Sequence, residues 1–365
     1  MMASVYEISN VDEIHTPALA VYPAIIKSNI EKAIEIAGSN LLRPHIKTCK
    51  NPQIVQQMMD GGITHFKCAT IAEAELLGMQ KAKDVLLAYQ PVAGNILRLK
   101  NLIAAYPQTK YSCLIDNKIS LQKIAETFDN GDIDIFIDVN TGMNRTGVSP
   151  HNARELLEHV ALYPNVHVTG VHAYDGDIND TDIVVRTQKA DEAYKKALAV
   201  KTLAESIVGK ALNFVIGGTP TLFIHAQRHN VQCSPGTFVF WDKNYSAFSD
   251  LPFAIAAILL TRVVSVIDTT LLCLDVGHKA VSSENPLHQR LHFLDKEFIE
   301  LVSHSEEHLV VRVPDTSKHF IGEVWYAVPY HICPTVALYN EVEVIEDGYR
   351  TQQWKVIARN RKINY

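Results

Sequence analysis

Short apolar or β-branched runs that end in polar, glycine or proline residues recur along the first two thirds of the chain, at 41–47, 65–70, 84–89, 111–116, 133–139, 166–174, 213–217 and 231–238. Runs of this length and composition predict strands. Between most of them apolar positions recur at helical spacing: 51–60 (Ile54, Val55 and Met58), 71–80, 95–105, 118–128 and 150–162, with the longest at 181–208. That spacing predicts helices with one buried face. Strand and helix in alternation imply a parallel sheet, and eight such units predict closure into a (β/α)8 TIM barrel. An open doubly wound sheet would place a Gly-x-Gly-x-x-Gly turn after the first strand, and none is present there.

Beyond about residue 250 the grammar changes. Strand-like runs now follow one another with little helix between them, at 257–267, 270–275, 298–302, 308–312, 323–328, 341–345 and 352–359. Consecutive strands predict an antiparallel β domain. The opening residues Val5 to Ile8 are expected to return and join it. The domain organisation expected is a barrel over 15–250 and a β domain made of 1–14 plus 251–365.

Composition narrows the function classes. Of 365 residues 47% are hydrophobic and 20% charged, the balance of an ordinary globular chain with enough length for a large core. A net charge of −6 without any basic run argues against a nucleic-acid partner. The longest apolar stretch, 251–260, is too short to span a bilayer. Residues 1–7 lack a basic end followed by an apolar core, so a cytoplasmic location is expected. The six cysteines follow no framework spacing, which predicts free thiols.

In a parallel barrel the chemistry sits at the carboxyl ends of the strands. Those ends predict a rim of Lys47, Thr70, Gln90, Asp116, Arg145, Tyr174, Gly217, Gly218 and Gly236. Lys47 is the leading candidate: an amine at a barrel mouth, once desolvated and neutral, attacks a carbonyl to form a Schiff base. After the seventh strand comes Gly217-Gly218-Thr219-Pro220-Thr221, and the eighth ends in Ser234-Pro235-Gly236-Thr237. Glycine turns at the last two strands are where barrels bind phosphate through backbone amides and hydroxyls. Arg145 lies in a polar, glycine-bracketed loop and is suited to hold an oxyanion, with a structural pairing to Asp138 as the rival role. His172 and Tyr174, two apart, leave the sixth strand on one side. His331 and Cys333 are also two apart, and if extended they offer an imidazole and a thiolate to a borderline metal.

Seven blocks, in order across nearly the whole chain, resemble the pyridoxal-phosphate enzymes of the D-threonine aldolase and D-serine dehydratase group, relatives of alanine racemase. They are Arg43 to Thr48, Asp138 to Val148, Gly170 to Gly176, Gly217 to Thr221, Pro235 to Phe238, Asp275 to Ala280, and His331-Ile332-Cys333. The resemblance implies an alanine-racemase-type barrel with a C-terminal β domain. It implies Lys47 as the cofactor-bearing lysine, with Arg145, Tyr174 and His172 as catalytic neighbours. Gly217, Gly218, Thr219, Pro235, Gly236 and Thr237 would bind the phosphate. His331 and Cys333 become ligands of a divalent metal, Zn or Mn, and a homodimer is expected. Cys49 and Asp177 depart from the pattern where histidines are frequent in the group.

The activity so implied is that of a lyase on D-3-hydroxy amino acids. The cofactor ring serves as electron sink, and the metal acts on the 3-hydroxyl. Removal of the hydroxyl proton would split Cα from Cβ, giving glycine and an aldehyde, and this retro-aldol outcome is preferred. Removal of the α-proton by Lys47 would instead expel the hydroxyl, as in D-serine dehydratase. An amino-acid racemase and a non-catalytic pyridoxal-phosphate carrier are the further alternatives, and a colourless metal-only hydrolase stands outside the cofactor class.

Overall fold

The computed structural model describes residues 5–365. The first elements are strand β1 (Ala18–Val21) and helix α1 (Pro23–Ala37), which starts on Pro23 and buries Ile26, Ile30, Ala33 and Ala37. Proline at the first helical position has no amide to waste, and the buried residues fall on one face. This helix precedes the first predicted strand and has no counterpart in the expected pattern.

The barrel follows as β2 (His65–Cys68), β3 (Asp84–Leu87), β4 (Lys110–Ile115), β5 (Ile133–Val139), β6 (Val166–Ala173), β7 (Asn213–Ile216) and β8 (Gln232–Cys233). These seven strands pair in parallel in sequence order. Helices α2 (Pro52–Asp60), α3 (Ile71–Met79), α4 (Gly94–Ala105), α5 (Lys118–Thr127), α6 (Ala153–Val160), α7 (Ile183–Val208) and α8 (Leu222–Ala226) cover the outside. Leu86, Leu114, Phe136 and Val215 form a separate cluster that fills the inside. Side-chain caps fix several strand-to-helix turns: Asn51 for α2, Thr70 for α3, Asn117 for α5 and Asp182 for α7.

The predicted first strand, 41–47, takes a different form. Residues 42–46 make only isolated bridges, Leu42 to Cys233 and His45 to Lys67. Arg43 N donates to Cys233 O (2.8 Å), His45 N to Pro235 O (2.8 Å) and Ile46 N to Lys67 O (3.0 Å). The segment thus joins the two edges of the seven-stranded sheet and supplies the eighth stave. Pro44, lacking an amide, keeps it from a full ladder. The eighth predicted strand is shorter than expected for a similar reason, since Pro235 and Gly236 end it.

The second sheet runs through β9 (Ala257–Val266), β10 (Leu271–Leu274), β11 (Leu291–Phe293), β12 (Glu300–His304), β13 (Leu309–Arg312), β14 (Val324–Pro329), β15 (Glu341–Glu346) and β16 (Tyr349–Lys355). Its one element from the front of the chain is β1, antiparallel to β9 and parallel to β15. Val5 to Ile8 form no strand: the chain returns later, at the fully buried run Ala18–Val21. Between β14 and β15 lies the short helix α9 (Ile332–Val336). No described helix is long and apolar enough to cross a membrane.

Candidate active site

Tyr174, just past the end of β6, is the centre on which the mouth converges. Its ring lies 5.8 Å from Lys47 Nζ, 5.5 Å from Lys67 Nζ and 5.1 Å from Arg145 Cζ, measured to the centroid. Three basic side chains gather around one aromatic ring, whose quadrupole attracts them when charged while they repel one another. The ring also rests against Gly176 and Gly218, where an added Cβ would run into it. Lys47 stands half-buried in the turn after the closing segment, its amide donating to His45 Nδ1 (3.2 Å). Arg145 is exposed, and among the described residues it makes no ion pair with Asp138, the structural role weighed for it.

Asp138 is spent elsewhere. Its Oδ1 accepts from His172 Nδ1 (2.7 Å) and its Oδ2 from Gln90 Nε2 (2.9 Å), while Gln90 also donates to Asp116 (2.9 Å). Asp116 in turn accepts from Gly147 N (3.0 Å), which ties the Arg145 loop to the rim. Burial works to raise the Asp138 carboxyl, and the hydrogen bonds from His172, Thr146 and Gln90 outweigh it, holding the group below its usual range. Burial pulls His172 below its ordinary value against the pull of Asp138, so the imidazole is neutral with its proton on Nδ1. Its Nε2 is buried and, among the described residues, without a hydrogen-bond partner, which leaves it a free acceptor.

Gly217 adopts φ +89°, and a Cβ there would lie 2.6 Å from His225 Cδ2, so this position needs glycine twice over. Behind it His225 Nε2 donates to Asp175 Oδ2 (2.7 Å) and Thr221 Oγ1 to Asp175 Oδ1 (3.1 Å), all three buried. Across the turn the amides of Gly236 and Thr237 both donate to Thr219 Oγ1, at 3.1 and 3.2 Å. Two successive amides converge on one oxygen, the geometry of a backbone concavity, with the Thr219 hydroxyl at its focus. The predicted glycine turns are thereby brought together. Pro235 contributes its carbonyl to the barrel closure and has no amide to give an anion.

His331 and Cys333 meet, though not on a strand. His331 caps α9 and Cys333 lies in its first turn, where Pro334 is tolerated because first-turn amides lack intrahelical acceptors. Burial would raise the Cys333 thiol, but His331 and the Lys47 amine turn the balance and hold it below its usual value. Burial would lower His331, and Cys333 and Glu284 push it up to about 9. Cys333 Sγ is 3.0 Å from Thr48 Oγ1, beside Lys47, and 3.4 Å from Thr237 Oγ1, in the amide cup. The thiol–imidazole corner therefore adjoins both halves of the mouth. Among the described residues no three His, Cys, Asp or Glu side chains group as a metal set, so this pair would need water or substrate to complete a coordination sphere.

Thr70 belongs to its helix cap. Cys49 is buried, its thiol pushed up to about 11 by burial, an inert core residue. Lys67 went unpredicted, and so did the Asp175–His225 pair. A lysine in mid-strand of a sheet buried on both faces is itself a signal, whereas Asp175 and His225 are fifty residues apart with no shared motif.

A family profile described as "Alanine racemase, N-terminal domain" matches residues 22–243, and one described as "Putative serine dehydratase domain" matches 256–345. The chain is 25% identical to a D-threonine aldolase from Arthrobacter sp over 361 residues, 95% of this chain and 93% of that protein. The solved D-threonine aldolase from Filomicrobium marinum superposes with TM-score 0.86 at 24% identity, covering 97% of this chain and 98% of that one. The D-threo-3-hydroxyaspartate dehydratase from Delftia sp. HT23 gives TM-score 0.80 at 19% identity, covering 94% and 97%.

Proposed function

The chain belongs to the alanine racemase N-terminal domain family, and from that membership we propose a pyridoxal-phosphate-dependent lyase acting on D-3-hydroxy amino acids by retro-aldol cleavage, in the manner of D-threonine aldolase. One observation carries the reading: Lys47 and Arg145 both approach the Tyr174 ring, which rests on Gly218, next in the chain to Thr219 of the amide cup. The cup suits a phosphate, the cations suit a ring oxygen and a substrate carboxylate, and the partnerless Nε2 of His172 suits a polar ligand atom. When bound, the cofactor supplies an electron sink for charge developing at the substrate's α-carbon.

The chain's own residues do the rest. Lys47 offers an amine that secures the aldehyde and would return a proton to the α-carbon once the Cα–Cβ bond has broken; removal of the α-proton by Lys47 belongs to the β-elimination reading. Arg145 would orient an anionic group. Thr219, Gly236 and Thr237 would fix the phosphate, and Asp175 with His225 stiffens the Gly217 turn from behind. His331 and Cys333 fit one divalent ion, Zn or Mn, by donor chemistry: such an ion would supply Lewis acidity toward the 3-hydroxyl. The reading also includes a homodimer, which sedimentation velocity would test.

β-Elimination of the D-serine dehydratase type stands as the second reading, favoured by the match of 256–345 to a putative serine dehydratase domain. Incubation with cofactor, metal and either D-threonine or D-serine decides between them. Glycine plus acetaldehyde from D-threonine supports the proposal, and pyruvate plus ammonia from D-serine supports the second reading. Inversion at Cα without cleavage would overturn both.

A further inference from the structure

Lys67 has the burial of a core residue and the chemistry of a site residue. It is 2% exposed. Its backbone is locked to the closing segment: Lys67 N donates to Pro44 O (2.8 Å) and Lys67 O accepts from Ile46 N (3.0 Å), and on the other edge of the strand the residue is in register with Leu86 of the inner cluster. The side chain is thus committed to the barrel interior, where its amine reaches the Tyr174 ring.

Among the described residues that amine has no hydrogen-bond or ion-pair partner. The carboxylates that face it are taken, Asp138 by His172 and Gln90, Asp175 by His225 and Thr221. The closing segment turns only cations and an imidazole toward it, Arg43, His45 and Lys47, and β6 adds His172. Arg145 shares the same ring. A scaffold gains nothing from burying an amine so placed, because desolvation and like-charge repulsion both disfavour it and an apolar side chain would fill the space more cheaply.

Resting on the pyridoxal-phosphate reading above, we propose that Lys67 is a ligand contact of the barrel throat, its amine hydrogen-bonded to an acceptor atom of the aromatic cofactor that Lys47 secures. This adds to the site a residue that titrates: burial, then Lys47, lowers its pKa to about 7, so its charge changes across the neutral range. The bound cofactor's electronic spectrum should change with it.

The test compares full-length wild type with Lys67→Met, and with Lys67→Gln should the methionine variant fail to fold. Each is titrated with pyridoxal phosphate at about pH 6 and about pH 8.5, following the cofactor's visible and near-ultraviolet bands, then reduced with borohydride and peptide-mapped. The expected result is a label on Lys47 in every protein, about tenfold weaker binding by the variant at the lower pH, and loss of a spectral step near neutrality. Label on Lys47 with equal affinity and an unchanged pH profile would overturn the inference alone. Label on Lys67, or none in wild type, would overturn the cofactor reading along with it.

Discussion

Lys47 and Lys67 approach one tyrosine from opposite kinds of ground. Lys47 stands in a turn after a segment that Pro44 keeps out of the ladder, half-buried, free to follow a ligand's carbonyl. Lys67 stands inside β2, fixed by two backbone bonds to the closing segment and closed off from solvent. The reactive amine sits in a turn at the barrel mouth, and the electrostatic one inside a paired strand. A covalent partner must move through a reaction, while a charge that tunes a ligand works best when it cannot.

Removing the mobile partner should cost most. Lys47→Ala is expected to lower kcat/KM by at least about 10³-fold and to abolish covalent attachment, read by steady-state kinetics and mass spectrometry. On the β6 side, His172→Gln leaves Asp138 with a neutral amide partner and removes the free Nε2. It should lower kcat on the order of 10²-fold while leaving the melting temperature within a few degrees. A fall in stability without a fall in kcat would show His172 to be scaffold.

The corner next to Lys47 is probed by Cys333→Ala. Activity should drop about 10- to 100-fold, and reactivation after chelation should need more Zn or Mn than the wild type does. Indifference of both proteins to a chelator would remove the metal from the account. Thr219→Val takes away the hydroxyl that the Gly236 and Thr237 amides share, and should weaken pyridoxal phosphate binding about tenfold in a fluorescence titration.

The smallest effect belongs to the rigid side. Lys67 is lowered to about 7 in the folded protein from an ordinary value of 10.5. Between those values the unfolded chain binds a proton that the folded one does not, so stability rises with pH across that window. Without cofactor, the wild-type melting temperature should therefore gain on that of Lys67→Met between about pH 7 and about pH 9.5, on the order of 3 °C by calorimetry. Parallel melting curves would place the amine outside the low-dielectric interior.

Much of the mobile side is legible in the chain because it is built from punctuation. Glycine turns after β7 and β8, the glycine-bracketed loop of Arg145 and a lysine closing an apolar run each announce a strand end, and barrels react at strand ends. The rigid side is written in another way. Lys67 lies inside a strand, where a lone lysine reads as a solvated face unless both faces are known to be covered. Asp175 and His225 pair across the fold with no local trace. The His331 to Pro334 stretch looks extended because proline usually stops a helix, yet in a first turn it begins one. The closing segment reads as a strand and becomes a stave held by isolated bridges because of a single missing amide at Pro44.

Borohydride reduction of the cofactor-loaded protein followed by peptide mapping addresses the central claim most directly. One stable pyridoxyl adduct is expected, on Nζ of Lys47, formed with the full chain and absent from Lys47→Ala. An adduct on any other residue, or wild-type protein that takes none when supplied with pyridoxal phosphate, would contradict it.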